Sequence, residues 1–264
     1  MQAPYDEYAG IAELYDHVAL YRDRPDIAFY VDAARSANGA VLEIGCGTGR
    51  VLIPSARAGM EIVGVDLSRA MLAVCRRRLQ QESADVRARV HLVQADMRDV
   101  ALARQFALAT IPFRPFQHLL TVRDQLACLD GIRRHLVDGG RLAFDVFNPS
   151  IDALASRPEG QEVGDEPEFT TPDGRRVLRR HRIIAQDRFY QANQIELIYY
   201  VTHADGQEER IVHAFTMRYL FRFEIEHLLA RAGFELEHVY ADYAKNPYGS
   251  TYPGDLIVVA RKAS

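Results

Sequence analysis

The stretch Val41-Leu42-Glu43-Ile44-Gly45-Cys46-Gly47-Thr48-Gly49-Arg50 confines this chain to few folds. A short apolar run of strand type breaks at three alternate glycines, and residues 50–58 then carry a helical pattern closed by Gly59, where left-handed backbone is wanted. Glycines remove side chains where the backbone must approach something closely, and the helix start supplies unpaired N–H groups. A ligand is therefore expected at the turn. The dinucleotide fingerprint is G-x-G-x-x-G, whereas the run here is E-x-G-x-G-x-G. Glu43, just before the turn, would repel a pyrophosphate and suits a ligand bearing an ammonium or sulfonium.

The following segments repeat the strand-to-helix pattern. Residues 61–66 read as a second strand ending in Asp66, with Ser68 placed to cap a helix over 69–79. An acid at the end of the strand after a glycine turn is where a ribose diol is usually held. A third strand over 90–94 runs into Ala95-Asp96-Met97, so three strand ends converge on one crevice. Residues 106–111 make the fourth strand, with Ile111 at its end. The loop Pro112-Phe113-Arg114-Pro115-Phe116-Gln117-His118 then leaves beside the crevice, where a second substrate would sit. Thr121-Val122-Arg123-Asp124 resembles a capping box opening a helix, with Val122, Leu126, Leu129, Ile132 and Leu136 at core spacing and Gly139-Gly140 as its end. The fifth strand, 141–147, puts Asp145 and Asn148 near the same crevice.

Before this unit, residues 5–37 carry two helical patterns: Ile11, Leu14, Tyr15 and Val18, and then, started by Pro25, Ile27, Tyr30, Val31 and Ala34. Tyr21 and Arg22 fall in the bend between them and are surface positions unless that bend is a lid. After it, residues 149–174 are rich in proline, glycine and acids (Glu159, Glu162, Asp165, Glu166, Glu168), a mobile or surface excursion. Alternating segments over 175–185, 189–203 and 210–221, joined around Asp187 and by Ala204-Asp205-Gly206, predict three or four antiparallel strands. Such an insert serves either as a flap over the substrate, the favoured use, or as the face of a homodimer. A helix over 223–232 stopped by Gly233 leads to two last strands, 234–240 and 256–261, as an antiparallel hairpin.

The segments from Glu43 to Gly49, Asp66-Leu67-Ser68 and Asp96-Met97 resemble, in order and separation, the motifs of class I S-adenosylmethionine-dependent methyltransferases. The resemblance is firm over about residues 40–147 and looser beyond. Within the family it points to the small-molecule branch with an antiparallel insert, which includes deoxysugar N-methyltransferases and glycine N-methyltransferase-like enzymes. The fold this implies is α/β: a Rossmann-like seven-stranded sheet with helices on both faces and its last strand antiparallel, plus a small inserted antiparallel sheet. One domain would span 1–264, with an N-terminal helical cap over 1–38 and a β flap over 149–221.

The resemblance further implies that Gly45, Cys46 and Gly47 pass under the methionine part of S-adenosylmethionine, next to Glu43. Asp66 would hold the ribose hydroxyls, Leu67 would pack on adenine, and Asp96 and Met97 would meet the adenine edge. Tyr15, paired with Asp16, would reach the methionine end, and Ile111 would lie against the cofactor. The product would be S-adenosylhomocysteine. Ala107 stands where many relatives have an aspartate. The Asn/Asp-Pro-Pro-aromatic motif is absent, which argues against methylation of amino groups on DNA bases.

A sulfonium methyl is already electrophilic, so transfer to nitrogen or oxygen of a small molecule depends on placement, exclusion of water and a free lone pair. His118, on the loop after the fourth strand, is the candidate base. Tyr21, Phe113, Asp145, Asn148, His213 and Tyr243 are candidates for contact with the acceptor. Cys46, Cys75 and Cys128 are odd in number and lack ligand spacing, so neither a disulfide framework nor structural zinc is expected, and no metal is assigned. A net charge of −4 gives no electrostatic reason to expect nucleic acid as a partner. No apolar run approaches the length of a membrane span and no secretion signal starts the sequence, so the cytoplasm is expected. Competing readings are a catalytically silent S-adenosylmethionine-binding subunit and a protein or RNA methyltransferase.

Overall fold

A computed structural model describes residues 6–156, 158–164 and 166–263 of the chain. Residues 1–5 and Asp165, which enter the expectations above, lie outside the described residues. The first helical pattern is realised as turns followed by a 3₁₀ turn at Tyr15–His17 rather than as an α-helix. These turns keep the same spacing, so Ile11, Leu14 and Val18 are still buried. Two helices follow, α1 (Ala19–Arg22) and α2 (Asp26–Arg35), the second directly after Pro25. Tyr21 is not at the surface: its ring is buried, 4.7 Å from that of Tyr15 and 5.0 Å from that of Phe113.

The chain then alternates through β1 (Val41–Ile44), α3 (Leu52–Arg57), β2 (Ile62–Asp66), α4 (Arg69–Gln80), α5 (Ala84–Ala88), β3 (Val90–Gln94), β4 (Phe106–Ile111), α6 (Val122–His135) and β5 (Leu136–Val146). All of β1 is buried because it lies in the middle of its sheet, between β4 and β2. Ser68 caps α4 by accepting the Met71 amide at 3.1 Å. Helix α5, with Ser83 as its cap, was not expected from the sequence. Helix α6 ends earlier than expected. Leu136 takes extended backbone and pairs with Phe106, the intervening residues loop out, and the strand rejoins β4 at Arg141 opposite Leu108.

Beyond β5 a helix that was not foreseen, α7 (Ile151–Ser156), opens the excursion. Four strands follow: β6 (Phe169–Thr170), β7 (Arg176–Asp187), β8 (Ala192–Thr202) and β9 (Glu208–Arg218), forming a separate antiparallel sheet in the order β6-β7-β8-β9. The chain returns through α8 (Arg222–Arg231), β10 (Phe234–Tyr240) and β11 (Leu256–Lys262). The main sheet has the order β10-β11-β5-β4-β1-β2-β3, with β11 antiparallel to both neighbours and the remaining pairs parallel.

Alternate side chains of each central strand face opposite layers. Val41, Ile62 and Leu108 join Phe29, Leu52 and Leu72 of α2, α3 and α4, whereas Leu42, Ile44 and Ala109 join Leu129 of α6 and Leu228 of α8. The seven-stranded Rossmann-like sheet is thus covered by helices on both faces, as the sequence led us to expect. The small sheet packs its own apolar face on the N-terminal segment, with Val177, Leu197 and Tyr199 against Ile11, Leu14 and Val18. No helix among the described residues is long and apolar enough to cross a membrane.

Candidate active site

At the end of β1 the backbone passes through Gly45, Gly47 and Gly49 at φ +70°, +53° and +82°. Gly45 is required twice over, because a Cβ there would also fall 2.6 Å from Pro115 of the loop after β4. The turn is stitched to the next strand: the Gly45 and Cys46 amides donate to the Val65 carbonyl at 2.8 and 3.1 Å. Asp66, the last residue of β2, accepts the Gly47 amide at 2.7 Å on one carboxylate oxygen and the Ser68 amide at 2.8 Å on the other. Burial raises its pKa, against the pull of those two amides.

Glu43 is 2% exposed, and one of its carboxylate oxygens has no hydrogen-bond partner among the described residues. Burial pushes its pKa up to about 8, with the Arg50 guanidinium and the Leu52 amide pulling the other way. An orphaned buried acceptor of this kind is expensive unless a donor arrives. Glu43, Gly45, Cys46, Gly47, Asp66, Leu67, Asp96 and Met97 all line one cavity of about 760 Å³ at the carboxyl ends of the parallel strands. Leu67 is 62% exposed there, an apolar side chain with one face open. Asp96 is held by its neighbour Arg98, which lowers its pKa. The Cys46 thiol is buried and its pKa raised by that burial, so it is a small wall residue rather than a nucleophile.

The N-terminal segment closes one side. Asp6 accepts from the Ser68 hydroxyl at 2.8 Å and the Ala70 amide at 3.0 Å, and Asp16 accepts from the Thr48 hydroxyl and the Arg78 guanidinium, both at 2.7 Å. Between these two anchors Tyr8 and Tyr15 face the cavity. The opposite side is the loop after β4. Phe113 and Arg114 are both left-handed, at φ +65° and +73°, and His118 follows in a 3₁₀ turn, Pro115–His118. Phe113 and His118 line the cavity, and Phe215 and Thr216 of β9 line it from the small sheet, the Phe215 ring 5.3 Å from that of His118. Burial pushes the His118 pKa down to about 4, so the ring is neutral and carries a free lone pair near pH 7.

Several expected site residues do not reach this cavity. Ile111 is fully buried in the core between the main sheet and α6. Tyr21 lies behind Phe113, its hydroxyl accepting from Arg179 at 2.8 Å. His213 sits behind Phe215, with ring centroids 4.9 Å apart, and against Tyr8 at 4.5 Å. Asn148 bonds to Pro253 and Tyr248, and Tyr243 accepts from Arg24 at 2.9 Å. Asp145 is 1% exposed and accepts from the Tyr30 hydroxyl and the Phe113 amide, each at 2.7 Å. Topology puts Ile111 and Asp145 near the carboxyl ends of β4 and β5, but side-chain orientation is set by packing the sequence does not display. Conversely, Asp6, Tyr8, Thr48, Arg50, Asp124 and Thr216 belong to the wall without having been anticipated. Thr48 and Arg50 had a signal as members of the glycine-turn stretch, and Asp124 as the fourth residue of the helix-opening motif.

Three comparisons bear on this geometry. A family model described as a methyltransferase domain matches residues 41–140. The chain is 30% identical over 261 residues, 98% of both chains, to the cypemycin N-terminal methyltransferase of a Streptomyces species. Among solved structures, the CcbJ methyltransferase from Streptomyces caelestis superposes with a TM-score of 0.79 at 24% identity, covering 98% of this chain and 100% of that one. S-adenosylmethionine-bound CalS10, an amino pentose methyltransferase from Micromonospora echinaspora, gives 0.68 at 25% identity over 93% and 95%.

Proposed function

The chain belongs to the class I S-adenosylmethionine-dependent methyltransferase family, and we propose that it binds S-adenosylmethionine in the cavity beside Glu43 and methylates a small molecule, preferentially at nitrogen. The observation that carries the donor assignment is Glu43: a buried carboxylate with an oxygen unpartnered among the described residues, at the lip of a glycine turn where Gly45 leaves no room for a side chain. An ammonium draws off its proton and pairs with the resulting carboxylate, a gain that a diphosphate cannot make. In this reading Gly45, Cys46 and Gly47 run under the methionine part, and Asp66 turns its remaining lone pairs to the ribose hydroxyls. Leu67 and Met97 clasp adenine next to Asp96, and Tyr15 closes the methionine end.

When bound, the donor supplies an electrophilic methyl on a cationic sulfur. The chain's own work is placement and the exclusion of water. Tyr8, Tyr15, Phe113 and Phe215 bound the far end of the cavity with aromatic rings. His118 presents a neutral imidazole to the acceptor and accepts a hydrogen bond from its N–H, which holds the nitrogen lone pair towards the methyl; the methylated product leaves as the ammonium and gives up its proton to solvent. A ring that titrates near 4 is too weak a base to be of use to a hydroxyl, but an amine needs no deprotonation beyond its neutral form. The nitrogen preference rests on that mismatch, and it agrees with the relatives named for an amino pentose and a peptide amino terminus.

The N-terminal segment and the insert over 149–221 act here as one cover over the acceptor. Phe215 and Thr216 in the wall favour a flap over a homodimer face as the use of the insert. The three cysteines are all free, in keeping with a cytoplasmic setting. The test is calorimetry with S-adenosylmethionine and S-adenosylhomocysteine, where micromolar binding, on the order of −8 kcal/mol, is expected. Radiolabel transfer to amino sugars, peptide amino termini and their hydroxyl analogues then ranks the acceptors. Absence of heat with either nucleoside would end the proposal.

A further inference from the structure

Two consecutive residues without glycine's freedom, Phe113 and Arg114, are left-handed just past Pro112, which follows β4. Such backbone is disfavoured by about 1–2 kcal/mol per residue, so something must hold it. The conformation matters because it turns the chain sharply: Phe113 comes to face the cavity, Pro115 comes to rest on Gly45, and His118 enters the wall one short turn later.

What holds the backbone there lies outside the cavity. Asp145, near the end of β5, presents one carboxylate oxygen to the Phe113 amide and to the Tyr30 hydroxyl of α2, each at 2.7 Å. Among the described residues its other oxygen has no hydrogen-bond partner, and the buried Nε of Arg114, likewise unpartnered among them, lies 4.0 Å from it. Ring contacts complete the seat: the guanidinium carbons of Arg24 and Arg50 lie 4.8 and 5.0 Å from the Phe113 centroid, and Tyr21 meets the ring edge-on. These contacts grip the side chain, while Asp145 grips the backbone at the left-handed residue itself.

We infer that Asp145 is a positioning residue for methyl transfer, fixing the Phe113–Arg114 turn and through it the place of His118 at the acceptor end. The inference rests on the reading of this cavity as the site of methyl transfer. Asp145 touches neither donor nor acceptor in it. Asparagine at 145 is nearly isosteric, but it removes the charge that strengthens the bond to the Phe113 amide and turns an amide group towards Arg114.

Hydrogen exchange read by mass spectrometry on the whole chain tests this, comparing wild type with Asp145→Asn and Tyr30→Phe. Loss of one charge-assisted bond should speed exchange over residues 113–119 by about tenfold in Asp145→Asn, and by a smaller factor in Tyr30→Phe. Segments of β1 and α4 should exchange as in wild type, and S-adenosylhomocysteine affinity should stay within about twofold. In Asp145→Asn the His118 ring, followed by NMR, should titrate above its wild-type midpoint as water reaches it. Unchanged exchange in the loop overturns the inference. So does acceleration spread evenly over the chain, which would make Asp145 a residue of general stability. If Asp145→Asn does not fold, Tyr30→Phe decides alone: no local acceleration there overturns it. Failure of S-adenosylhomocysteine to bind wild type would sink the donor assignment while leaving the exchange comparison intact.

Discussion

Arg50 donates to both carboxylate oxygens of Asp26, at 2.7 and 2.6 Å, and Asp26 is wholly out of solvent. The arginine follows the glycine turn directly and the aspartate opens α2, so the pair ties the N-terminal helix to the floor of the site. Asp26→Ala leaves a buried guanidinium without its partner. We expect a loss of about 3–5 kcal/mol in denaturant unfolding. A change under about 1 kcal/mol, the range of an exposed pair, would show that the burial is illusory.

With the donor placed as proposed, Glu43 would couple its binding to protons. Its folded pKa, about 8, lies above its unfolded value, so the native state binds the extra proton. The stabilisation from this proton is full below about pH 4.5 and is lost as pH rises towards 8. An ammonium placed beside Glu43 draws that pKa down. Binding of S-adenosylmethionine at pH 7 should therefore release about one proton, read from calorimetry in buffers of different ionisation enthalpy. Glu43→Gln should abolish the release and weaken binding about tenfold or more. Equal proton release in wild type and variant would refute the placement.

Asp66 both closes the glycine turn, through the Gly47 amide, and faces the cavity. Asp66→Ala should reduce S-adenosylhomocysteine affinity by about 1.5–3 kcal/mol, the range of a hydrogen bond to a charged group. Adenine alone, probed by competition, should lose much less. Parallel losses for nucleoside and free base would place the defect in the fold of the turn.

His118 reports through pH. Its folded pKa, about 4, lies below the ordinary 6.5, so the unfolded chain binds the proton first as the medium is acidified. Stability is unaffected above about 6.5 and declines as pH falls from there towards 4. His118→Gln should remove its share of that decline, leaving the share of His213, which burial also pushes down to about 4, and should slow methyl transfer by roughly tenfold, the worth of one positioning hydrogen bond, with donor affinity kept. Unaltered turnover would show that aromatic enclosure alone positions the acceptor.

The half of the cavity proposed for the donor was legible as a cluster of residues because its parts are local. Glu43 and the three glycines, Asp66 with Ser68, and Asp96 with Met97 each sit at a strand end that hydrophobic patterning locates within a residue or two. The acceptor half was not. Asp145 and Asn148 end β5 and Tyr243 follows β10 as topology suggests, yet their side chains turn into hydrogen bonds with Tyr30, Pro253 and Arg24. Tyr8 and Thr216 enter the wall only because the N-terminus and β9 return across the sheet. Contacts between stretches some two hundred residues apart leave no local pattern, and the same reason explains why Tyr21 read as exposed.

The small sheet and the N-terminal turns bury Ile11, Leu14 and Val18 largely among Val177, Leu197 and Tyr199, apart from the two clusters that hold the seven-stranded sheet. The molecule thus contains a satellite oil drop whose melting need not involve the principal one. Under the proposed flap, ligand traffic would be governed by the cohesion of that drop, a quantity that a methylene added or removed at Val18 or Leu197 would adjust while the scaffold beneath stays put.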